Sequence, residues 1–217
     1  AFIYGLSIAD NFIKSGQCET ILLVGVDVLS PALEKTPAGR DVGVLFGDGA
    51  GAVILQPSES DGGILSTHLH SEGKYLKELW CELPSFRMAG RGFSDEMISA
   101  GRHRLKMNGR EVFKHAVTRF PEVIQEAMDA NNLTIDDIAQ IIPHQANHRI
   151  TEAVAKRMGV DSELVYSNIH RYGNTTAATI PIAMCEAFAE GKFSTGDHII
   201  LAAFGSGFTW ASAAIKW

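Results

Sequence analysis

One arrangement of elements occurs twice along this sequence: a helix, an apolar strand, a glycine-rich turn and a closing apolar strand. In the first copy, the apolar run at residues 21–26 is followed by the glycine-rich stretch at 47–55. In the second copy, the run at 199–204 is followed by the stretch at 205–215. A continuous apolar run is typical of a strand buried on both faces. The repeat therefore predicts an α/β fold of two related halves, with the beginning of the first half missing.

The composition is that of a folded protein, and it excludes some classes of binding partner. Of the 217 residues, 46% are hydrophobic and 20% are charged, which is enough apolar material for a sizeable core. No apolar run approaches the ~20 residues of a membrane span. The net charge of -6 argues against a general nucleic-acid binder. We therefore expect neither a membrane nor a nucleic acid as a partner.

The three cysteines belong to no recognisable motif. Cys18, Cys81 and Cys185 are widely spaced and form no Cys-x-x-Cys pair, so neither a disulfide framework nor a zinc site is expected. We interpret Cys18 and Cys185 as small, mostly buried residues. The absence of a disulfide pattern favours a reducing compartment, and we expect a cytoplasmic protein.

Several other elements follow from the spacing of apolar residues. Residues 1–16 have the pattern of a buried helix, and residues 111–130 have that of an amphipathic helix in which Pro121 should cause a kink or a break. The polar, turn-rich residues 57–63 are the best candidate for an internal boundary. Residues 73–106 show no assignable pattern, and such a stretch is usually a functional loop or contains short helices.

The sequence Ile-Ile-Pro-His-Gln-Ala-Asn at residues 141–147 contains the first candidate for chemistry. Two apolar residues run into a proline and His144, and a helical pattern then continues to residue 158, before a glycine. This pattern predicts a strand end, a tight turn and a helix start, which together hold a side chain at the rim of a sheet. His144 is therefore a catalytic candidate, although a lone histidine near a strand end is more often structural.

A second turn of similar design follows at residues 173–176, where Gly173 and Asn174 precede another apolar helix. We expect the same strand–turn–helix arrangement around it. An imidazole N–H and an amide N–H can both donate to one oxygen, and they stabilise an enolate more than a carbonyl. The two turns are predicted to place His144 and Asn174 against one reacting group. A structural role for both residues is equally compatible with the pattern.

Three other motifs could form functional sites, but each also has a structural explanation. His144 and His148 have the spacing of metal ligands on a helix, but Gln145 stands where a metalloprotease needs glutamate, so we expect no metal. The glycines at 47–51 lack the lysine of a phosphate-binding loop and favour a tight turn. The Gly-Ser-Gly turn at 205–207 either presents N–H donors to an oxyanion or acts as a hinge.

Two helices bear basic side chains in an otherwise acidic protein. One contains Arg149, Lys156 and Arg157, and the other contains Arg110, Lys114 and Arg119. These side chains form either an ordinary solvated surface or a docking surface for an acidic partner.

An ordered set of motifs resembles the β-ketoacyl-[acyl-carrier-protein] synthase III family. In chain order the motifs are Phe-Gly-Asp-Gly-Ala-Gly-Ala at 46–52, Met-Asn-Gly-Arg-Glu-Val-Phe at 107–113, Pro-His-Gln-Ala-Asn at 143–147 with Arg-Ile at 149–150, Gly-Asn-Thr-Thr-Ala-Ala at 173–178, and Ala-Phe-Gly with Gly-Phe-Thr-Trp at 203–210. The resemblance covers nearly the whole chain apart from residues 73–106, and the ordered set is highly specific.

The resemblance implies a thiolase-like fold with a layered αβαβα arrangement, usually in a homodimer. Residues 1–58 would be the remainder of an incomplete N-terminal half, and residues 59–217 a complete C-terminal half. The implied activity is that of a condensing acyltransferase in the initiation of fatty-acid biosynthesis. An acyl group passes from acyl-coenzyme A to a cysteine. Malonyl-acyl carrier protein then loses carbon dioxide, and its enolate attacks the acyl-enzyme to give a 3-oxoacyl product, with no cofactor.

The resemblance also assigns roles to individual residues. His144 and Asn174 would hold the malonyl thioester oxygen. The N–H of Ser206, beside Gly205, would join an oxyanion hole, and Phe204 would shield the site. Ser206 stands where the family often has glycine or alanine, a change that a backbone donor tolerates.

Further roles concern substrate binding. The coenzyme A contacts implied by the resemblance are Arg40, Asn108 and Phe113. The residues implied to face the acidic carrier protein are Arg149, Lys114, Lys156 and Arg157. Residues 73–106 would help to shape the acyl or pantetheine channel.

The sequence departs from the family at its beginning. The family's nucleophilic cysteine lies shortly before the position of Phe2, at a helix N-terminus that lowers a thiol pKa. The chain starts at Ala1, inside a helical pattern and without an initiator methionine, and none of its cysteines fits that position. We therefore expect the N-terminal part of the same enzyme as a partner. The alternatives are a non-condensing binding or scaffold subunit, a malonyl-thioester decarboxylase, and a polyketide-type homologue.

Overall fold

A computed structural model describes residues 1–83 and 94–217. The strands are β1 (Ile21–Asp27), β2 (Gly49–Leu55), β3 (Gly63–Ser71), β4 (Leu79–Cys81), β5 (Leu105–Met107), β6 (Ile138–Pro143), β7 (His198–Gly205) and β8 (Thr209–Lys216). The α-helices are α1 (Phe2–Lys14), α2 (Arg40–Gly43), α3 (Asp95–Ser99), α4 (Gly109–Ala130), α5 (His148–Met158), α6 (Ile169–Tyr172) and α7 (Thr179–Ala189).

A four-stranded sheet in the order β3-β8-β7-β6 forms the centre of the molecule. Strands β7 and β8 form an antiparallel hairpin, β3 pairs antiparallel with β8, and β6 pairs parallel with β7. Most residues of β6 and β7 are buried, as expected for strands with helices on both faces. The parallel pair brings the carboxyl ends of β6 and β7 to one edge of the sheet.

The apolar faces of the helices determine how the layers stack on the central sheet. The apolar sides of α4 and α5 pack on one face of the central sheet. Helices α1 and α7 pack on the other face, and the inward side chains of β1 and β2 cover them in turn. The described residues thus form four consecutive layers of an αβαβα arrangement, which confirms the predicted thiolase-like fold. The antiparallel β1–β2 pair corresponds to the β7–β8 hairpin, as the sequence repeat predicts.

Glycine allows the β1–β2 pair to approach the segment before α7. A Cβ atom at Gly25 would overlap the carbonyl oxygen of Ala177, and one at Gly51 would lie 2.9 Å from Cγ of Pro181. Gly49 and Gly51 lie within β2, so this stretch begins a strand and does not form the predicted tight turn, whereas the close packing expected of its glycines is confirmed. Since β1 holds this segment in place, the first half of the repeat supports the site built on the second.

Three further sequence predictions about burial and local structure are wrong. Strand β1 is exposed on one face: Leu22 and Val26 retain 64% and 55% of their accessible surface, because in the described residues no layer covers that side. Cys185 is exposed rather than buried, since it lies on the face of α7 that points away from the core. The turn at Asn174 follows the short helix α6 instead of a strand, and α7 begins only at Thr179.

Other parts of the prediction can be placed directly. Pro121 lies inside α4, which continues through it without a break. The predicted boundary near residue 58 falls between β2 and β3, and the division into residues 1–58 and 59–217 stays a prediction. Residues 73–106 include β4, α3 and part of β5, while residues 84–93 of that stretch lie outside the described residues. In the part of the chain that the structure describes, no helix is long and apolar enough to cross a membrane.

Candidate active site

A cavity of about 760 Å³ opens beside the carboxyl ends of β6 and β7. Its walls come from the start of α1, the segment before β2, the start of α4, the β6–α5 turn, the segment around Asn174 and the β7–β8 turn. His144 and Asn174 both line it, as do Phe113, Arg149, Phe204, Gly205 and Ser206. The lining is mostly apolar, so electrostatic interactions inside the cavity are stronger than in water.

His144 is held by the strand that precedes it and the helix that follows. Its backbone N–H donates to the carbonyl oxygen of Ala202 in β7 over 2.7 Å, which extends the parallel pairing past the end of β6. Asn147 then caps α5 by accepting from the N–H of Arg149 over 3.0 Å. The predicted strand end, turn and helix start are confirmed, and they leave the imidazole at the cavity.

The ring of His144 is neutral at physiological pH. Burial lowers its pKa from the usual 6.5 to about 4, because the desolvated site disfavours the charged form. Nδ1 lies 2.6 Å from Oγ1 of Thr179 in the first turn of α7. Nε2 has no hydrogen-bond partner among residues 1–83 and 94–217, so it is left to interact with whatever occupies the cavity.

The side-chain amide of Asn174 has a defined orientation. The backbone N–H donates to the carbonyl oxygen of Leu45 over 2.8 Å, and the backbone oxygen accepts from Gly47 over 3.0 Å. The side-chain Oδ1 accepts from the N–H of Thr176 over 2.9 Å. Because this N–H needs an acceptor, Oδ1 must face it, and the amide NH₂ group is the free end. Asn174 is 7% exposed and lines the cavity, so its NH₂ group can donate a hydrogen bond to a molecule bound there.

Asp27, at the end of β1, anchors the segment that follows Asn174. Its Oδ2 accepts from the hydroxyl of Thr176 and from the N–H of Ala177, the latter over 3.1 Å. Thr176 has a φ of 47°, which is unfavourable for a β-branched residue and is maintained by these bonds. The first half of the chain therefore fixes the conformation around a site residue of the second half.

The β7–β8 turn forms another wall of the cavity. Phe204 is 6% exposed and packs against Phe208 with ring centroids 4.8 Å apart. The hydroxyl of Ser206 donates to the carbonyl oxygen of Leu79 over 2.5 Å, which ties the turn to β4. Thr209 donates from its hydroxyl to the carbonyl oxygen of Ser206 over 3.1 Å. The Gly-Ser-Gly turn at 205–207 is thus held by two hydrogen bonds.

The residues expected to contact coenzyme A occupy different positions around the cavity. Phe113 lines it directly. Asn108 caps α4, and its side-chain amide donates to Glu78 over 2.8 Å, while its neighbour Gly109 lines the cavity. Arg40 is exposed at the start of α2, next to the cavity-lining Asp41. The structure brings Phe113 into the cavity and leaves Asn108 and Arg40 at its margin.

The basic residues expected to face a carrier protein lie on α4 and α5. The guanidinium of Arg149 is 5.7 Å from the ring centroid of Phe113. Arg157 bridges the two helices by donating to the carbonyl oxygen of Val117 over 3.3 Å. Lys114 and Lys156 are exposed beside them, and Lys114 lies 3.5 Å from Glu111. Arg149 alone of these four lines the cavity.

The start of α1 also reaches the cavity, through Ala1 and Phe2. None of Cys18, Cys81 and Cys185, all within the described residues, lines it. Across residues 1–83 and 94–217, no group of three or more histidine, cysteine, aspartate or glutamate side chains could hold a metal ion.

Two residues that support the site were not identified from the sequence. Thr179 contacts His144, and Asp27 holds the segment after Asn174. The signal for Thr179 was its place in the first turn of the helix that follows Asn174. Asp27 had a weaker signal, as an acidic residue directly after an apolar strand.

The site can therefore present two neutral N–H donors within one desolvated cavity. The donor of Asn174 is fixed by its side-chain hydrogen bond, and that of His144 depends on which ring nitrogen bears the proton. Such donors stabilise an oxygen that gains negative charge during a reaction, because they are already oriented and need no reorganisation.

Comparison with known proteins finds one family over most of the chain. Residues 1–73 match the family described as 3-oxoacyl-[acyl-carrier-protein (ACP)] synthase III, and residues 128–217 match its C-terminal domain. A β-ketoacyl-[acyl-carrier-protein] synthase III from Rhodospirillum centenum is 44% identical over 220 residues, which cover 100% of this chain and 64% of that relative.

Solved structures agree with the sequence relatives. The β-ketoacyl-[acyl carrier protein] synthase III of Thermus thermophilus superposes with a TM-score of 0.89 at 38% identity, covering 100% of this chain and 64% of that one. A priming β-ketosynthase from a polyketide biosynthetic pathway superposes with a TM-score of 0.86 at 30% identity, covering 99% of this chain and 62% of that one. The chain thus spans about 64% of the length of the curated relatives it matches.

Proposed function

The chain belongs to the 3-oxoacyl-[acyl-carrier-protein] synthase III family, and from this premise we propose that it is the larger part of a condensing acyltransferase. A cysteine thiolate takes an acyl group from acyl-coenzyme A and releases free coenzyme A. Malonyl-acyl carrier protein loses carbon dioxide to give an enolate. The enolate carbon attacks the acyl-cysteine thioester, which yields a 3-oxoacyl-carrier protein and regenerates the thiolate. The reaction would initiate fatty-acid synthesis in the cytoplasm.

The observation that carries this proposal is the convergence of His144 and Asn174 on one apolar cavity. Decarboxylation moves a pair of electrons from the C–CO₂ bond towards the thioester oxygen. The Nε2–H of His144 and the NH₂ group of Asn174 would donate to that oxygen as its charge develops. Since both groups are neutral donors in a desolvated site, they favour the enolate over the uncharged thioester.

Other cavity residues have proposed roles of the same kind. The backbone N–H of Ser206, next to Gly205, would donate to the oxyanion of the acyl-transfer step, and the ring of Phe204 would keep water from the enolate. Phe113, with Arg40 and Asn108 at the margin, would bind coenzyme A. Residues 73–106 would shape the acyl channel.

Charge complementarity would guide the carrier protein. Carrier proteins are acidic, and Arg149 at the cavity would attract them together with the exposed side chains of Lys114, Lys156 and Arg157 on α4 and α5. Interactions of this kind raise association rates and weaken with added salt.

The nucleophilic cysteine would come from the N-terminal part of the same enzyme. The relatives are longer than this chain, and no cysteine of the chain lines the cavity. In addition, the outer face of the β1–β2 pair exposes Leu22, Val24, Val26 and Ile54, which is the surface that a further layer would cover. A homodimer of the completed enzyme is the expected assembly.

Two other functions predict different behaviour. A malonyl-thioester decarboxylase would need His144 and Asn174 but no cysteine. A binding or scaffold subunit would need only the basic surface. A polyketide-type starter reaction uses the same chemistry as the main proposal, and the likeness to a priming β-ketosynthase keeps it open.

A chimaera separates these possibilities. The 217 residues replace the matching 64% of the Rhodospirillum centenum relative, so that the chimaera contains all parts of the enzyme. It is assayed for condensation of acyl-coenzyme A with malonyl-acyl carrier protein, beside the 217-residue chain alone. Condensation by the chimaera supports the proposal. Decarboxylation by the chain alone favours the decarboxylase, and a folded chimaera without either activity overturns the proposal.

Single substitutions in the chimaera then test the two site residues. His144→Ala and Asn174→Ala should each slow malonyl decarboxylation by about 100- to 1,000-fold, the usual effect of removing an oxyanion donor. His148→Ala is the matched control, because His148 is exposed on α5 and does not line the cavity. Full activity in either cavity variant would refute its assigned role.

A further inference from the structure

The hydroxyl of Thr179 is the one polar group within hydrogen-bond distance of Nδ1 of His144 among residues 1–83 and 94–217. Thr179 is 2% exposed, so its hydroxyl has little access to bulk water. The Nδ1···Oγ1 separation is 2.6 Å. The same hydroxyl lies 2.9 Å from the carbonyl oxygen of Thr176, one turn back along the chain. The hydroxyl has a single proton. It donates that proton either to a bare Nδ1, or to the carbonyl oxygen of Thr176 while it accepts from a protonated Nδ1.

Two observations favour donation of that proton to Nδ1. A separation of 2.6 Å is shorter than the range of roughly 2.7–3.2 Å usual for an N–H donor, and it suits an O–H donor. The carbonyl oxygen of Thr176 already accepts from the backbone N–H of Thr179, so it does not depend on the hydroxyl. The lone pair of a neutral imidazole at Nδ1 has no other donor available among the described residues.

We propose that Thr179 is a positioning residue whose hydroxyl donates to Nδ1 of His144 and so keeps the ring proton on Nε2, the nitrogen left free for the cavity. The catalytic consequence rests on the proposed function, because Nε2–H is then the group that donates to the developing enolate oxygen. The opposite arrangement, with a proton on Nδ1, would present a lone pair to that oxygen and would repel it.

This arrangement also explains why a hydroxyl suits the position. The hydroxyl supports the donor form of His144 without adding a charge, and a carboxylate there would draw the proton to Nδ1. A hydroxyl that donates to Nδ1 also stabilises the neutral ring, in the same direction as burial. Thr179 sits on α7 and His144 on the β6–α5 turn, so the contact joins the two elements that meet behind the cavity.

The direct test is the position of the proton in the 217-residue chain. Long-range proton–nitrogen NMR spectra of ¹⁵N-histidine-labelled protein at neutral pH distinguish a proton-bearing ring nitrogen from a bare one, and His144→Gln assigns the signals. We expect the proton on Nε2. A proton on Nδ1 would overturn the proposal. This measurement needs no substrate, so its result stands apart from the success or failure of the proposed reaction.

Variants at Thr179 test the consequence in the chimaera described above. Thr179→Val should lower kcat for decarboxylation by about 10- to 100-fold, as expected for loss of a group that orients a catalytic side chain. It should change KM little, and it should shift the titration of His144 to higher pH. Thr179→Ser, which keeps the hydroxyl, should restore both properties.

Thr151→Val is the matched control, because Thr151 is also a buried helical threonine but does not line the cavity. Normal kcat and an unchanged His144 titration in Thr179→Val would contradict the proposal. If Thr179→Val does not fold, the proton position in the wild-type chain and the behaviour of Thr179→Ser still decide the question.

Discussion

Burial keeps the imidazole of His144 neutral, and this has a consequence for stability as well as for chemistry. Its pKa in the folded chain is about 4, below the usual 6.5. Between these two pH values, the unfolded chain binds a proton that the folded chain excludes. Stability therefore falls as the pH drops from 6.5 towards 4, and it is unaffected by this group above 6.5.

We predict a loss of about 3 kcal/mol from this group across that interval. Urea unfolding measured from neutral to acidic pH checks it, with His144→Gln as the variant that removes the titrating ring. In His144→Gln the acid-side slope should become shallower. The comparison variant is His148→Gln, which replaces an exposed histidine that does not line the cavity. A wild-type slope in His144→Gln would contradict the prediction.

At the residue scale, the sequence identifies the groups that face the cavity better than the groups that hold them. The turn chemistry around His144 and the glycine before Asn174 are local, so their patterns are visible in the sequence. The partners of these residues are not local. Asp27 is separated from Thr176 by 149 positions, and Thr179 from His144 by 35. Such contacts arise from packing, and periodicity holds no information about them.

At the scale of elements, the end of β1 and the start of α7 act as one unit. Asp27 accepts from the hydroxyl of Thr176 and the N–H of Ala177, at the point where the chain turns into α7. A carboxylate near a helix N-terminus is also favoured by the helix dipole. The conformation that orients Asn174 is thus maintained from outside its own half.

Asp27→Ala should destabilise the protein by about 2 kcal/mol, because it leaves two partly buried donors without their charged acceptor. It should also speed hydrogen exchange at the amides of Thr176 and Ala177, which report on the segment directly. Asp27→Asn keeps an acceptor oxygen and should give an intermediate result. Asp161→Ala is the control, since Asp161 caps a different, exposed turn. Unchanged exchange at residues 176 and 177 in Asp27→Ala would count against the role of Asp27.

The predicted elements themselves show which patterns are reliable. The apolar strands β1, β2, β7 and β8 were predicted, because the signal for each strand lies within a few residues. The element before Asn174 was predicted as a strand, yet it is the short helix α6. A four-residue helix is too short to show periodicity, so the apolar residues around it could not distinguish the two.

At the scale of the whole molecule, the layers explain the error over β1. Its apolar run correctly indicated a strand with two apolar faces, but a sequence pattern cannot tell which faces are covered in a given chain. The inner face packs against α1 and α7 through Leu23. The outer face is open in the described residues, where Leu22 lies opposite Ile54 and Val24 opposite Ala52. The layered fold was therefore predictable, whereas the exposure of its outer layer was not.

The open face leads to the prediction that the 217-residue chain associates with itself. Leu22, Val24, Val26 and Ile54 keep 64%, 49%, 55% and 68% of their accessible surface and lie side by side on two paired strands. A contiguous apolar face on a short sheet with free edges promotes association. Leu22→Thr with Ile54→Thr should shift the chain towards monomer in sedimentation experiments, because threonine retains strand propensity and removes apolar surface. Leu76→Thr, at an exposed leucine outside this face, should have no effect on association.

In the chimaera, Leu22→Thr with Ile54→Thr should lower the free energy of unfolding by about 2 kcal/mol, since the face would be buried there. A wild-type chain that is already monomeric at high concentration would refute the prediction, and a chimaera indifferent to the pair would show that no layer covers β1 and β2.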